Sequence, residues 1–519
     1  LKVEIEVKVP LTSNLNRELR KLNIKVNRIR ILKKSIDARK IPAFIYKVEV
    51  DIPHQVAIEL LNEGKAKEVR KQEVPILRRI KTRKKVLTVG SGPAGLLASY
   101  LLSKAGFEVH VIERGKETIE RIKDVEKFWE KRTLNENSNV QFGEGGAGTF
   151  SDGKLVTRSR DPKKLYFYKL LVKHGAPPEI LYLSKPHIGT NKLREVIPNL
   201  RKTLESQGVI FHFSTKLTGF LTSGERVIGA ITENVNSKVS REESFDYIIL
   251  AIGNSSRDTF SMLSETGFSL EAKGFAVGLR IVHPQLEINK MQYGKFYLHP
   301  KLPPADYSVT YKGERRAVFS FCMCPGGYVI CSSSEMEGVV TNGMSNYERD
   351  GDFANSAIVV QVFPEDFNND PLKAVHFQRT LERKAFVEGG KDYSMPAQMV
   401  KDFLNGKESE KLLKGGYIPD VKPSRLDILI PDFLRKEISN ALKHWGKKMP
   451  PFISDETMLI GVETRTSSPV RILRDKFHRA VNFENVFPCG EGSGYSGGIT
   501  SSALDGMNTA LSLIKIEAS

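Results

Sequence analysis

Hydrophobic and polar positions alternate with period two over residues 3–9, and the same pattern returns over 25–32 and 44–52. Each stretch predicts a strand with one buried face. Residues 14–22 and 54–62 repeat their apolar positions at helical spacing. The order is that of a small α+β sandwich of ferredoxin-like type spanning residues 1–80. A charged stretch over 78–85 (RRIKTRKK) then leads into a run of apolar residues that begins at Val86, and the spacing places a domain boundary there.

A different pattern begins at Val86. Short, almost wholly apolar runs followed by helical periods predict strands buried on both faces in a parallel α/β sheet. This pattern breaks off, returns near 209–255, and returns again at 483–515. Such a discontinuous unit would span residues 84–258 and 461–519, with an insertion over 259–460. Within the insertion, residues 316–321 and 328–331 read as strands and 373–386 as a helix.

Composition narrows the class of protein. A chain of 519 residues is too long for one core. Forty per cent hydrophobic and 27% charged residues are the proportions of an ordinary globular protein. The longest apolar runs, such as 247–252, have strand length and fall far short of a membrane span. The first ten residues lack the basic head and apolar block of a secretory signal. Four cysteines (322, 324, 331 and 489) follow neither disulfide-framework nor zinc spacing. A cytoplasmic location and no metal site are therefore expected. Of the net charge of +18, residues 1–85 carry +13 (23 Lys and Arg against 10 Asp and Glu). This makes the N-terminal module a candidate binding surface for a nucleic acid or another anionic partner, through residues 30–40 and 78–85.

The clearest chemical signal is Gly90, Gly92 and Gly95 in G-x-G-x-x-G spacing after an apolar strand. Gly90 would allow the tight turn, Gly92 the close approach of backbone to a pyrophosphate, and Gly95 the packing of helix on sheet. A second strand ends at Glu113, where a carboxylate can accept from both ribose hydroxyls, and Arg114 is counted with it. These residues together predict a bound dinucleotide. A glycine-dense loop contributes Gly145, Gly146, Gly148, Thr149 and Lys154, positioned to press backbone against a flat ring or a phosphate.

Pro93 and Ala94 inside the first loop resemble the FAD-binding form of this fingerprint. Residues 486–510 resemble the C-terminal flavin motif of the glutathione reductase and p-hydroxybenzoate hydroxylase superfamily. The resemblance implies FAD as cofactor, with Gly490 and Glu491 at the ribityl chain. It implies the backbone of Gly497, Gly498 and Ile499 at the flavin edge that accumulates negative charge on reduction. It also implies Ala251 and Gly253 beside the FAD chain, and Leu217, on a strand over 212–220, at the adenine. Residues 138–155, 321–329 and 462–472 are together similar to a family of uncharacterised FAD-dependent dehydrogenases, predicted to be NAD(FAD)-utilising. The expected fold is then α/β: a discontinuous Rossmann-type FAD-binding domain with an inserted α+β substrate domain and the small N-terminal module.

Candidates for the reaction itself are fewer. Cys322 and Cys324 could exchange electrons with a flavin, although C-x-C closes a strained ring. Glu463 and Arg465 read as part of a polar strand lining a pocket, with Arg465 able to hold a substrate carboxylate. Arg280 offers a donor and His283 a proton carrier. No second glycine fingerprint marks a nicotinamide site, so NAD(P)H, the candidate transient electron donor, would approach through the insertion. The expectation is an oxidoreductase moving hydride between flavin and a small organic substrate, and the alternative is a flavoprotein that binds or modifies RNA.

Overall fold

A computed structural model describes residues 1–21, 28–69 and 79–519. The N-terminal alternation folds into a four-stranded antiparallel sheet in the order Arg28–Asp37, Ala43–Asp51, Lys2–Pro10, Ala66–Glu68. Val3, Ile5, Val7 and Val9 point into its core with Val48 and Val50, and helices Leu15–Lys21 and His54–Asn62 cover it. Residues 22 and 25–27 of the expected elements lie outside the described residues. The outer strand does not end at residue 32 as its periodicity predicts, but runs on to Asp37 by pairing with Ala43.

Apolar residues from Lys85 onward build a five-stranded parallel sheet. Its order is Val486–Pro488, Tyr247–Leu250, Lys85–Val89, Glu108–Ile112, Ile210–His212. Helices Pro93–Ala105 and Ile499–Glu517 pack together over one face, so closely that a side chain on Gly506 would stand 2.1 Å from the carbonyl oxygen of Ala94. An antiparallel meander (Thr215–Ser223, Arg226–Asn234, Ser240–Glu243) covers the other face through Leu217, Val227 and Ala230.

The single strand predicted over 212–220 is in fact two elements in two sheets. Ser214, at φ 52°, turns the chain out of the parallel sheet and into the meander, its N–H donating to the carbonyl of Gly115. Period-two alternation continues across that turn, which hides it in the sequence.

A seven-stranded sheet follows, in the order Thr310–Lys312, Ala317–Cys324, Phe353–Val362, Phe275–Pro284, Met458–Glu463, Met395–Met399, Val421–Pro423. Nine of the ten residues of Phe275–Pro284 are buried, as a central strand covered on both faces requires. The helix expected over 373–386 extends from Pro371 to Glu388, capped by the Asp370 carboxylate, which accepts from the N–H groups of Leu372 and Lys373. Among the described residues no helix is long and apolar enough to cross a membrane.

Candidate functional site

The turn after Lys85–Val89 is dictated by contacts that exclude any side chain. Gly90 has φ 102°, and a Cβ there would lie 2.4 Å from the carbonyl oxygen of Ala251. A Cβ on Gly95 would lie 2.0 Å from the carbonyl oxygen of Gly90. The helix that follows is capped by Gly92 with no side-chain hydrogen bond, and Pro93 at its first position removes one N–H. The C-terminal helix likewise starts behind Gly498 with no side-chain cap. Two helix N-termini with free N–H groups thus open on one cavity of about 380 Å³, a ready receptor for anionic and electron-rich groups.

Around the glycine fingerprint, Gly90, Gly92, Pro93, Ala94, Glu113 and Arg114 line the cavity. Glu113 is held by the chain itself. One carboxylate oxygen accepts from the N–H and hydroxyl of Ser91, both within 3.0 Å, and the other from the N–H groups of Gly115 and Gly143 at 3.0 Å. It therefore ties the first glycine loop to the second. Glu113→Ala is expected to weaken FAD binding at least tenfold, because four donors lose their acceptor at about 1 kcal/mol or more each if left unpaired. Fluorescence titration of the apoprotein with FAD checks this, and an unchanged affinity would refute the tying role. Arg114 pairs with Asp258 at 2.9 Å and lies 4.3 Å over the ring of Phe142.

The second glycine loop is split by its geometry. Gly146, Gly148 and Lys154 line the cavity, whereas Gly145 and Thr149 do not. Both instead border a small apolar pocket behind the loop, where a Cβ on Gly145 would meet the Thr149 hydroxyl at 2.3 Å and the side chain of Ile197. Thr149 donates to the carbonyl of Glu144. Gly95 is likewise a packing residue outside the cavity lining.

Leu217, Ala251 and Gly253 line the cavity from the meander and from the end of Tyr247–Leu250. Gly490, Glu491, Gly497, Gly498 and Ile499 line it from the C-terminal segment. Glu491 accepts from Asn254 Nδ2 at 2.9 Å, and burial pushes its carboxyl up to about 7. A Cβ on Gly253 or Gly497 would meet nothing within 4 Å. Sequence reading missed Asn254 and Ser91, although each directly follows a glycine that it singled out.

Beyond this, the cavity is lined by Cys322 and Glu463 of the seven-stranded sheet, by Thr341 and Asn342 of the neighbouring strand Thr341–Ser345, and by Arg465. Two expectations are corrected here. Arg465 is not free to clamp a substrate carboxylate: Nε and Nη2 bind Glu382 at 3.0 and 2.7 Å, and Nη1 donates to Ser334 Oγ at 2.6 Å. Arg280 is fully buried behind the wall, paired with Glu463 at 2.8 and 2.9 Å, and cannot meet a substrate. Cys324 is also buried, and all four cysteines are free thiols.

His283 is a core residue and no proton carrier. Its Nδ1 donates to the carbonyl of Pro451 at 2.9 Å and Nε2 accepts from the Tyr307 hydroxyl at 2.8 Å, while burial pushes it down to about 4. The unfolded chain takes up this proton near pH 6.5 and the folded chain only near pH 4. Stability from this group is complete above pH 6.5 and falls by about 3 kcal/mol as the pH drops to 4. His283→Gln is expected to flatten that part of the acid limb in denaturant titrations, and an acid limb identical to wild type would refute it.

Some of the basic residues of the N-terminal module have partners within the chain. Lys34 is half-buried, its backbone bonded to Tyr182 and Ser184, with its ammonium 4.7 Å over the ring of Phe44. Arg30 pairs with Glu49 and Arg39 with Asp37. From the second basic stretch, Lys84 pairs with Asp246 and Lys85 with Glu108, and residue 78 lies outside the described residues.

Two family models match parts of this chain. Residues 83–135 match the FAD binding domain family, and residues 274–466 match the family described as FAD-dependent protein, C-terminal domain-like. An uncharacterized protein of Clostridium beijerinckii is 40% identical over 511 residues, covering 96% of this chain and 94% of that protein. Among solved structures, the glycerol-3-phosphate dehydrogenase from Bacillus halodurans complexed with FAD has a TM-score of 0.38 and 9% identity. That match covers 84% of this chain and 65% of the other. CtdE in complex with FAD gives a TM-score of 0.34 and 10% identity, covering 83% and 84%. FAD is the cofactor of this chain: the matched families bind it, and the side-chain-free cradle of Gly92, Gly253 and Gly497 between two uncapped helix N-termini fits it.

Proposed function

We propose that this chain, which belongs to the family of FAD-binding proteins that includes the Clostridium beijerinckii protein, is an FAD-dependent oxidoreductase that exchanges hydride with a small organic substrate. One observation carries the reading. The cavity that begins at the glycine fingerprint continues, past the N-terminus of the helix Ile499–Glu517, to polar residues of the segments that hold Glu463, Arg465 and Asn342. That end adds charged and polar groups, Glu463, Arg465 and Asn342, to the glycine-lined part of the cavity.

Bound FAD supplies the two-electron carrier. The chain supplies position and charge. Arg465, fixed by Glu382, presents a cation at the wall that cannot swing away, and Glu463 is held in place by Arg280 and by the Thr341 hydroxyl at 2.9 Å. Lys154 and Asn342 line the same cavity. Such fixed charges stabilise a developing charge without reorganising during the reaction. NAD(P)H, as transient donor, would enter from the side of the seven-stranded sheet, since the parallel sheet carries only one glycine fingerprint.

The test is anaerobic reduction of the holoprotein with NADH, NADPH and dithiols, followed by a screen of organic substrates. Bleaching of the flavin absorbance by at least one donor, and its return with an acceptor, is expected. A flavin that no donor and no substrate bleaches would overturn the reading.

A further inference from the structure

The strand Ala317–Cys324 is interrupted where it meets the cavity. Its pairing with Phe353–Val362 shifts register between Phe321 and Cys324, and Cys322 takes φ 49°. A bulge of this kind re-aims side chains, and a left-handed conformation is unfavourable for a residue with a Cβ, so the surroundings must enforce it. They do. The Cys322 carbonyl accepts from Arg280 Nη1 at 3.3 Å and from Cys324 Sγ at 3.2 Å. Lys154 Nζ donates to the Met323 carbonyl, lies 3.7 Å from Cys324 Sγ, and is itself anchored by Asp152 at 3.4 Å. As a result Cys322 lines the cavity while Cys324 is buried behind it.

We propose that Cys322 is the nucleophile of the deep cavity, and that the substrate it meets there is an α,β-unsaturated carbonyl compound, whose β-carbon the sulfur attacks. The class of substrate rests on the oxidoreductase reading above, because a flavin trades hydride most readily with carbon activated by a neighbouring carbonyl. The nucleophile rests on the geometry of the bulge. In the step, the S–C bond forms as the C=C π pair moves to the carbonyl oxygen. Negative charge builds on that oxygen. The α-carbon then takes a proton from water, equal to the one the thiol released. No oxidant or reductant is consumed, and elimination reverses the step.

The charges around the bulge suit the role. The neighbouring Cys324 thiol, Lys154 and Arg280 hold Cys322 below the ordinary thiol range against its burial, and Cys324 is pushed up. Lys154 is a positioning residue in this scheme, acting through the sulfur.

N-ethylmaleimide, itself an α,β-unsaturated carbonyl compound, is the probe. Holoprotein is labelled between pH 5.5 and 9 and the adducts are mapped by peptide mass spectrometry. Cys322 is expected to label first, with a midpoint below about pH 7.5, against about 8.5 for a free cysteine. Lys154→Met should move the midpoint up and slow labelling at pH 6.5 roughly tenfold or more, while Lys154→Arg keeps the low midpoint. A cooperative thermal unfolding transition like that of the wild type reports that both variants are folded. A midpoint near 8.5 in the wild type, or one that Lys154→Met does not move, overturns the nucleophile. The substrate class is read from the ratio of N-ethylmaleimide to iodoacetamide rates at Cys322. A ratio no higher than that of glutathione overturns it. A flavin that nothing reduces in a protein whose Cys322 labels at low pH would sink the oxidoreductase reading and leave the nucleophile standing.

Discussion

Gly95→Ala is expected to yield a protein that purifies nearly colourless. The added methyl would stand 2.0 Å from the carbonyl oxygen of Gly90 and 3.1 Å from Thr88 Cγ2. The oxygen is backbone and cannot rotate aside. Gly90 is itself pinned, its N–H bonded to the Ile112 carbonyl at 2.9 Å and the space beside it, where a side chain would stand, taken by the Ala251 carbonyl. The helix Pro93–Ala105 would have to move outward, yet its other side is locked against Ile499–Glu517 at the contact of Ala94 with Gly506. Overpacking of this kind costs about 1–3 kcal/mol, and with neither side able to yield the upper end applies. The same displacement carries the helix N-terminus away from the pyrophosphate. The flavin-to-protein ratio of purified Gly95→Ala is thus expected to fall at least tenfold, with a lower melting temperature. Gly64→Ala is the control: Gly64 has φ 69° but nothing within 4 Å of its Cβ position, so it should lose about 1 kcal/mol and keep its flavin. Full flavin content in Gly95→Ala would mean that the fingerprint does not position this helix.

The contrast between those two glycines shows what sequence can convey. Gly90, Gly92, Gly95 and Glu113 lie within 24 residues, and their spacing records contacts made by one βαβ unit, so their arrangement was legible. The same holds for Glu491 through Ile499. Contacts between distant segments leave no such record. Arg280 and Glu463 are 183 positions apart, and alternating polarity around each shows a strand but not the residue opposite. Arg465 looked available for a substrate only because Glu382, 83 positions earlier, stands in a helix read as ordinary. In the loop at 143–149 the sequence located the glycines, but backbone dihedrals decide that Gly146 faces the cavity and Gly145 does not. The break at Ser214 is invisible for a related reason, since alternation persists while the chain changes sheets.

The second large effect belongs to Glu382. Only 1% exposed, it accepts from two arginines at once: Arg257 at 2.7 and 2.8 Å and Arg465 at 2.7 and 3.0 Å, with the Thr464 hydroxyl at 2.6 Å as a fifth donor. The arginines hold its carboxyl well below the usual carboxylate range despite burial. Glu382→Gln keeps the volume but removes the charge and turns two of the donors toward an amide N–H₂. Arg257 retains Glu335 at 2.7 Å, whereas Arg465 retains only Ser334, so an uncompensated guanidinium is left 7% exposed at the cavity wall. Breaking a buried pair in this way costs about 3–5 kcal/mol. Because the folded carboxyl is depressed, its contribution is complete above the unfolded value near pH 4.5 and is lost only as the pH falls through the much lower folded value. The difference between wild type and Glu382→Gln should therefore be constant from pH 5 to 8 in denaturant titrations and shrink only in stronger acid. Adding Arg465→Gln to Glu382→Gln should cost less than the sum of the two single changes, since the second removes the charge that the first leaves stranded. Additive losses, or a single loss below about 1 kcal/mol, would show that Arg465 is held at the cavity wall by something other than this carboxylate.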